Sequence, residues 1–256
     1  MDKNFFRIGR ARVFITNYDN VISNVRSAIL SNKKGYICVS NLRTIAIDNN
    51  DDGYHKVMES SLINTPDGTP LIWCARLWGI KDAERVCGPT LFERALNGNG
   101  YKHFFIGDTE EILKRVEVKA VANHEAFVAG TYSPPFAPLD DYDIEDIANK
   151  INVSGANVVW TALTAPKQDF LNFRLLPLLN DGVVMIGIGA AFRTFIGELE
   201  LPSGIISKMG LSGFLMIRKD SSIWKELVWY VRHSCILLKY ICMILTRRIA
   251  GRKYWE

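Results

Sequence analysis

Short apolar runs alternate along this chain with segments whose apolar residues recur at helical spacing. Arg12-Val13-Phe14-Ile15 reads as a short strand, followed by a helix through Val21, Val25, Ala28 and Ile29. Tyr36-Ile37-Cys38-Val39-Ser40 reads as a buried strand opened by Gly35. Residues 43–46 and 54–62 read as helices, the second running through Val57, Met58 and Leu62. A Pro-Asp-Gly turn at Asp67 leads to a helix over residues 70–78. Gly88-Pro89-Thr90 opens a helix over residues 91–96, and a strand over 102–108 precedes a helix over 110–120. A second series follows: a strand at 126–130, the rigid loop Tyr132-Ser133-Pro134-Pro135-Phe136 and a helix over 142–151. A strand at 157–163, a helix from Pro166 to about 179 and a strand from 182 end it in the turn Gly187-Ile188-Gly189.

Strands rich in Val, Ile and Phe, spaced by helices, predict βαβ units: a mainly parallel, Rossmann-like sheet with helices on both faces. In such sheets ligands bind beyond the carboxyl ends of the strands. Five loops fall at such ends and are expected on one rim, at Asp67, Gly107-Asp108, Pro134-Pro135-Phe136, Pro166-Lys167-Gln168 and Gly187-Ile188-Gly189.

Composition places the chain among ordinary globular proteins, with 48% hydrophobic and 23% charged residues in 256. The five cysteines are scattered without a C-x-x-C pair, which predicts a reducing compartment. The four histidines show no ligand spacing, so no structural zinc site is expected. No basic-then-apolar leader and no apolar run of spanning length is seen. The net charge of +4 is uneven: residues 218–256 carry nine Lys/Arg against three Asp/Glu, leaving the preceding 217 residues near −2. No nucleic-acid partner is implied.

Each candidate motif has a plain reading beside the functional one. Asp67 is either a turn and helix-capping residue or a general base at the mouth of the domain. Gly187-Ile188-Gly189 is either a structural turn or a backbone cradle for a diphosphate, and it lacks the third glycine of a dinucleotide fingerprint. Pro166-Lys167-Gln168 offers a cation and an amide at a helix start, which suits an anion, although Pro is common there in any helix. Asp140-Asp141-Tyr142-Asp143 contains a metal-type Asp-x-Asp, but its acids also suit a helix N-terminus. No Gly-x-Ser-x-Gly elbow supports a serine triad. Residues 223–245 are helix-compatible and apolar, interrupted by Lys225, Arg232 and Lys239 and followed by Arg247, Arg248, Arg252 and Lys253. That pattern predicts an interfacial helix on an anionic bilayer, with packing on the domain or an oligomer interface as the alternative.

Taken in order, Thr65-Pro66-Asp67-Gly68, Arg85-Val86-Cys87-Gly88, Phe104-Phe105-Ile106-Gly107, Ser133-Pro134-Pro135-Phe136, Ala165-Pro166-Lys167-Gln168 and Gly187-Ile188-Gly189-Ala190-Ala191-Phe192 resemble the WecG/TagA/CpsF glycosyltransferases. The resemblance spans roughly residues 36–210. It implies an α/β core over residues 1–210 and a basic helical, membrane-associating appendage over 211–256. It also implies transfer of a sugar from a UDP-sugar to a polyprenyl-diphosphate-linked acceptor in cell-surface polysaccharide biosynthesis. Such an enzyme would be inverting, free of metal and other cofactors, and peripheral on the cytoplasmic face of the membrane. By that resemblance Asp67 is the general base, and Asn41, Arg85 and Gln168 are substrate-binding. Gly107, Pro135, Lys167, Gly187 and Gly189 complete the expected binding set. The chain departs from the family pattern at Val39, Asp169, Arg193, residues 198–202 and Leu211-Ser212-Gly213. Two other readings compete: a catalytically impaired member serving as an assembly partner, and a nucleotide-binding oxidoreductase. The sugar, linkage and oligomeric state are left open.

Overall fold

The computed structural model describes residues 4–97, 100–200 and 223–256, the last segment with side chains from 234 onward. Its centre is a six-stranded, wholly parallel sheet in the order β4-β3-β8-β7-β5-β6. The strands are β3 (Gly35–Ser40), β4 (Ile63–Pro66), β5 (Lys102–Gly107), β6 (Phe127–Tyr132), β7 (Val158–Ala162) and β8 (Val184–Gly187). The expected parallel α/β core is therefore present, with the segments of Val158 and Val184 side by side in it.

Helices cover both faces. α1 (Tyr18–Leu30), α5 (Gly88–Leu96), α6 (Glu110–His124) and α9 (Ala191–Phe195) bury one face. Phe92 is its hub, with ring centroids 5.1–5.5 Å from those of Phe105, Trp160, Phe192 and Phe195. α3 (Asp52–Ser60), α7 (Ile144–Ser154) and α8 (Lys167–Leu175) bury the other. Buried His103 accepts the Trp160 indole N–H at 3.0 Å, and burial lowers its pKa to about 4, which keeps it neutral.

The structure corrects several local expectations. The strand at Arg12 lies outside the main sheet; β2 (Ala11–Phe14) pairs antiparallel with an unforeseen β1 (Phe5–Ile8). Leu62 lies beyond α3, and the polar sequence after it forms the equally unforeseen β4. Asn64 can be buried there because its side chain pairs with Ser61 Oγ and with the carbonyls of Met58 and Arg12.

A third core joins the two ends of the chain. The last helix, α10 (Ile223–Ile249), sets Tyr240 and Ile244 among Phe6, Ile8, Leu42, Ile45, Leu71 and Cys74. These belong to the hairpin, to α2 (Leu42–Asp48) and to α4 (Thr69–Leu77). The Arg7 N–H donates to Tyr254 O at 2.7 Å, and Arg248 Nη1 to Leu77 O at 2.6 Å. The expected boundary at 210/211 and the Leu211-Ser212-Gly213 departure lie outside the described residues, as do the side chains of Trp224, Trp229 and Tyr230.

Candidate active site

The loops after β3, β4, β7 and β8 enclose a cleft of about 580 Å³ beyond the carboxyl ends of those strands. Asp67 follows β4 directly. Its N–H donates to Ser40 O at 2.6 Å, and Gly68, at φ +123°, turns the chain into α4. The Val86 N–H donates to Pro66 O at 2.9 Å and brings Arg85 alongside, with Nε 3.4 Å from Asp67 Oδ1. The Asp67 side chain keeps 26% of its surface exposed, enough to meet a ligand. Burial raises its carboxyl above the ordinary carboxylate range, and the Arg85 guanidinium opposes that rise. A carboxylate made more basic yet held in its charged form is what a general base requires.

Asn41 lines the cleft at the start of α2, where its Oδ1 caps the helix by accepting from the N–H groups of Arg43 and Thr44. Arg43 is exposed in the cleft and has no ion-pair partner among the described residues. Gln168 follows a cis Ala165–Pro166 peptide and is buried; its Oε1 accepts from the Gly189 N–H at 2.9 Å. Gly189, at φ +60°, has open space where a Cβ would stand, so a ligand can approach its backbone. Gly88 lets α5 abut this loop, because a Cβ there would lie 2.6 Å from Ile188 O.

Of the residues expected from the sequence, Asn41, Asp67, Arg85, Gln168 and Gly189 share the cleft, while Gly107, Pro135, Lys167 and Gly187 do not line it. Gly107 ends β5 and Pro135 follows β6, strands that lie two and three positions from β8, with about 5 Å added per strand. Lys167 turns away, its Nζ donating to Ala137 O and lying 4.4 Å from the Tyr142 ring centroid. Gly187 sits inside β8, beneath Gln168 and Asp169. The expected diphosphate cradle also changes: the Ile188 N–H is taken by Thr161 O and the Gly189 N–H by Gln168. That leaves a poor dinucleotide cradle, which counts against the oxidoreductase reading. Asp140 pairs with Arg174, and among the described residues no three His, Cys, Asp or Glu side chains gather to hold a metal ion.

The sequence reading missed Tyr18, Arg43, Thr90, Thr164 and Thr194, which also line the cleft. Thr90 and Thr164 flank turns already visible in the sequence. Tyr18 carries no local signal; packing brings it in, where its hydroxyl accepts the Cys87 N–H at 3.1 Å. Burial pushes the Tyr18 hydroxyl up to about 12, so it stays protonated at neutral pH.

An α/β enzyme with its site beyond the carboxyl ends of a parallel sheet is the class that this fold and cleft define. The chain belongs to the glycosyl transferase WecG/TagA/CpsF family, whose model matches residues 6–242. It is a glycosyltransferase. One relative, an N-acetylglucosaminyldiphosphoundecaprenol N-acetyl-beta-D-mannosaminyltransferase of Bacillus spizizenii, is 21% identical over 223 residues, covering 86% of this chain and 85% of the relative. A Bacillus subtilis protein of the same name is 25% identical over 194 residues, covering 74% and 73%.

Proposed function

We propose that this enzyme transfers a sugar from a UDP-sugar to a hydroxyl of a polyprenyl-diphosphate-linked saccharide, with inversion at the anomeric carbon. The observation that carries the reading is the Asp67–Arg85 pair, which shares one cleft with Arg43 and the open Gly189 backbone. The relatives support the acceptor class, since their names specify diphosphoundecaprenol-linked N-acetylglucosamine.

In this reading Asp67 takes the proton of the acceptor hydroxyl while that oxygen attacks the anomeric carbon. The bond from that carbon to the diphosphate breaks, and UDP leaves with the electron pair. Arg43 meets the charge gathering on the diphosphate, and Arg85 keeps the Asp67 carboxylate turned toward the acceptor. Gln168 shapes the Gly189 loop against which the donor lies.

The same reading seats α10 on the inner membrane surface. One side of this helix packs on the protein through Tyr240 and Ile244. Another exposes Cys235, Leu238, Cys242, Leu245 and Ile249 at heptad spacing, beside exposed Lys239, Arg248, Arg252 and Lys253. Apolar insertion flanked by cations suits a helix lying on anionic lipid. Among the described residues no helix is long and apolar enough to cross a membrane.

The test is a panel of UDP-sugars, UDP-N-acetylmannosamine included, assayed with N-acetylglucosaminyl-diphosphopolyprenol. One donor should yield a lengthened lipid-linked saccharide and stoichiometric UDP. No transfer from any donor contradicts the reading.

A further inference from the structure

Behind the cleft, on the α3/α8 side of the sheet, lies a buried polar chain that reaches the cleft only through Gln168. The Tyr54 hydroxyl, wholly buried, donates to Asp169 Oδ2 at 2.6 Å. Asp169 is itself 2% exposed, and its other oxygen, Oδ1, is buried with no hydrogen-bond partner among the described residues. That oxygen and Gln168 Nε2 both press over Gly187, 3.1 and 2.8 Å from where a Cβ there would stand. On its far side Gln168 receives the Gly189 N–H.

Donor and acceptor chemistry fixes the orientation of this amide. The Gly189 N–H can only donate, so it requires the Gln168 oxygen. The Gln168 NH2 group must then face the carboxylate, and Gln168 is among the groups that favour the ionised form of Asp169. Reversing the amide would set its oxygen against a carboxylate and its NH2 against an N–H. An acceptor-only group at residue 169, held in place from behind, reinforces from the other side the orientation that the Gly189 N–H requires.

We propose that Asp169, anchored by Tyr54, is a positioning residue of this transferase: it fixes the Gln168 amide and so the shape of the Gly189 loop on the donor side of the cleft. The role in donor binding rests on the function proposed above; the positioning itself does not. This geometry costs the fold stability at neutral pH. Burial raises Asp169 to about 6, so the folded protein binds a proton more readily than the unfolded chain between the ordinary carboxylate value and that point. Stability therefore falls as pH rises through this window, and at neutral pH the ionised carboxylate is a net burden.

The experiment compares Asp169→Asn, Tyr54→Phe and Gln168→Ala with the unaltered chain at pH 7.5. Amide hydrogen exchange should show Gly189 protection falling about tenfold or more in Asp169→Asn, and less in Tyr54→Phe, with the unfolding midpoint not lowered in Asp169→Asn. The KM for the UDP-sugar should rise about tenfold in Asp169→Asn with kcat changed less, and Gln168→Ala/Asp169→Asn should lose no more than Gln168→Ala alone. Unchanged Gly189 protection in both Asp169→Asn and Tyr54→Phe overturns the proposal, as does a fully additive double variant. Should the unaltered chain turn over no UDP-sugar, the proposed function fails, while the exchange data still decide the positioning role.

Discussion

At the residue scale the proposed mechanism turns on one carboxylate and the cation beside it. Burial raises Asp67, and Arg85, with Nε 3.4 Å from its carboxylate, partly opposes that rise. If Asp67 is the base, kcat/KM should fall on the acid side along a limb lying above the ordinary carboxylate range. Arg85→Ala removes the opposing charge and should move that limb to still higher pH, in addition to lowering the rate. A pH–rate series on both proteins checks this; a limb that Arg85→Ala leaves in place contradicts the pairing. The turn that carries Asp67 was legible in the sequence because Pro-Asp-Gly chemistry is local, whereas its role as base came from the family resemblance. The direction of Lys167 was not legible, since it follows from the carbonyl of Ala137 and the ring of Tyr142, thirty and twenty-five residues away.

At the scale of elements, periodicity identified the strands whose apolar runs are buried on both faces. β4 escaped because three of its four residues are Asn64, Thr65 and Pro66, and its burial depends on side-chain hydrogen bonds that no hydropathy pattern announces. Strand order was equally illegible. It sets the loops after β5 and β6 apart from the cleft although they follow strand ends like the others. α10 carries one packed and one exposed stripe, which sequence alone blends into one apolar helix. Leu238→Glu with Ile249→Glu alters only exposed positions, at 59% and 86% exposure. It should weaken sedimentation with anionic vesicles at least tenfold without lowering the unfolding midpoint. Tyr240→Ala strikes the packed stripe and should cost about 3–5 kcal/mol of stability, by analogy with other large buried aromatics. Equal vesicle binding by the double Glu variant would contradict a membrane role for the exposed stripe.

At the scale of the whole molecule, the third core ties the chain ends to the site. α2 begins beside Asn41 and α4 begins just after Asp67, and the bodies of both helices pack on α10. The most direct measurement of the central claim is single-turnover transfer by Asp67→Asn, paired with calorimetric binding of UDP. UDP affinity should stay close to that of the unaltered enzyme while the transfer rate falls by about 10²–10⁴-fold. Undiminished transfer by Asp67→Asn, with UDP still bound, would contradict that claim.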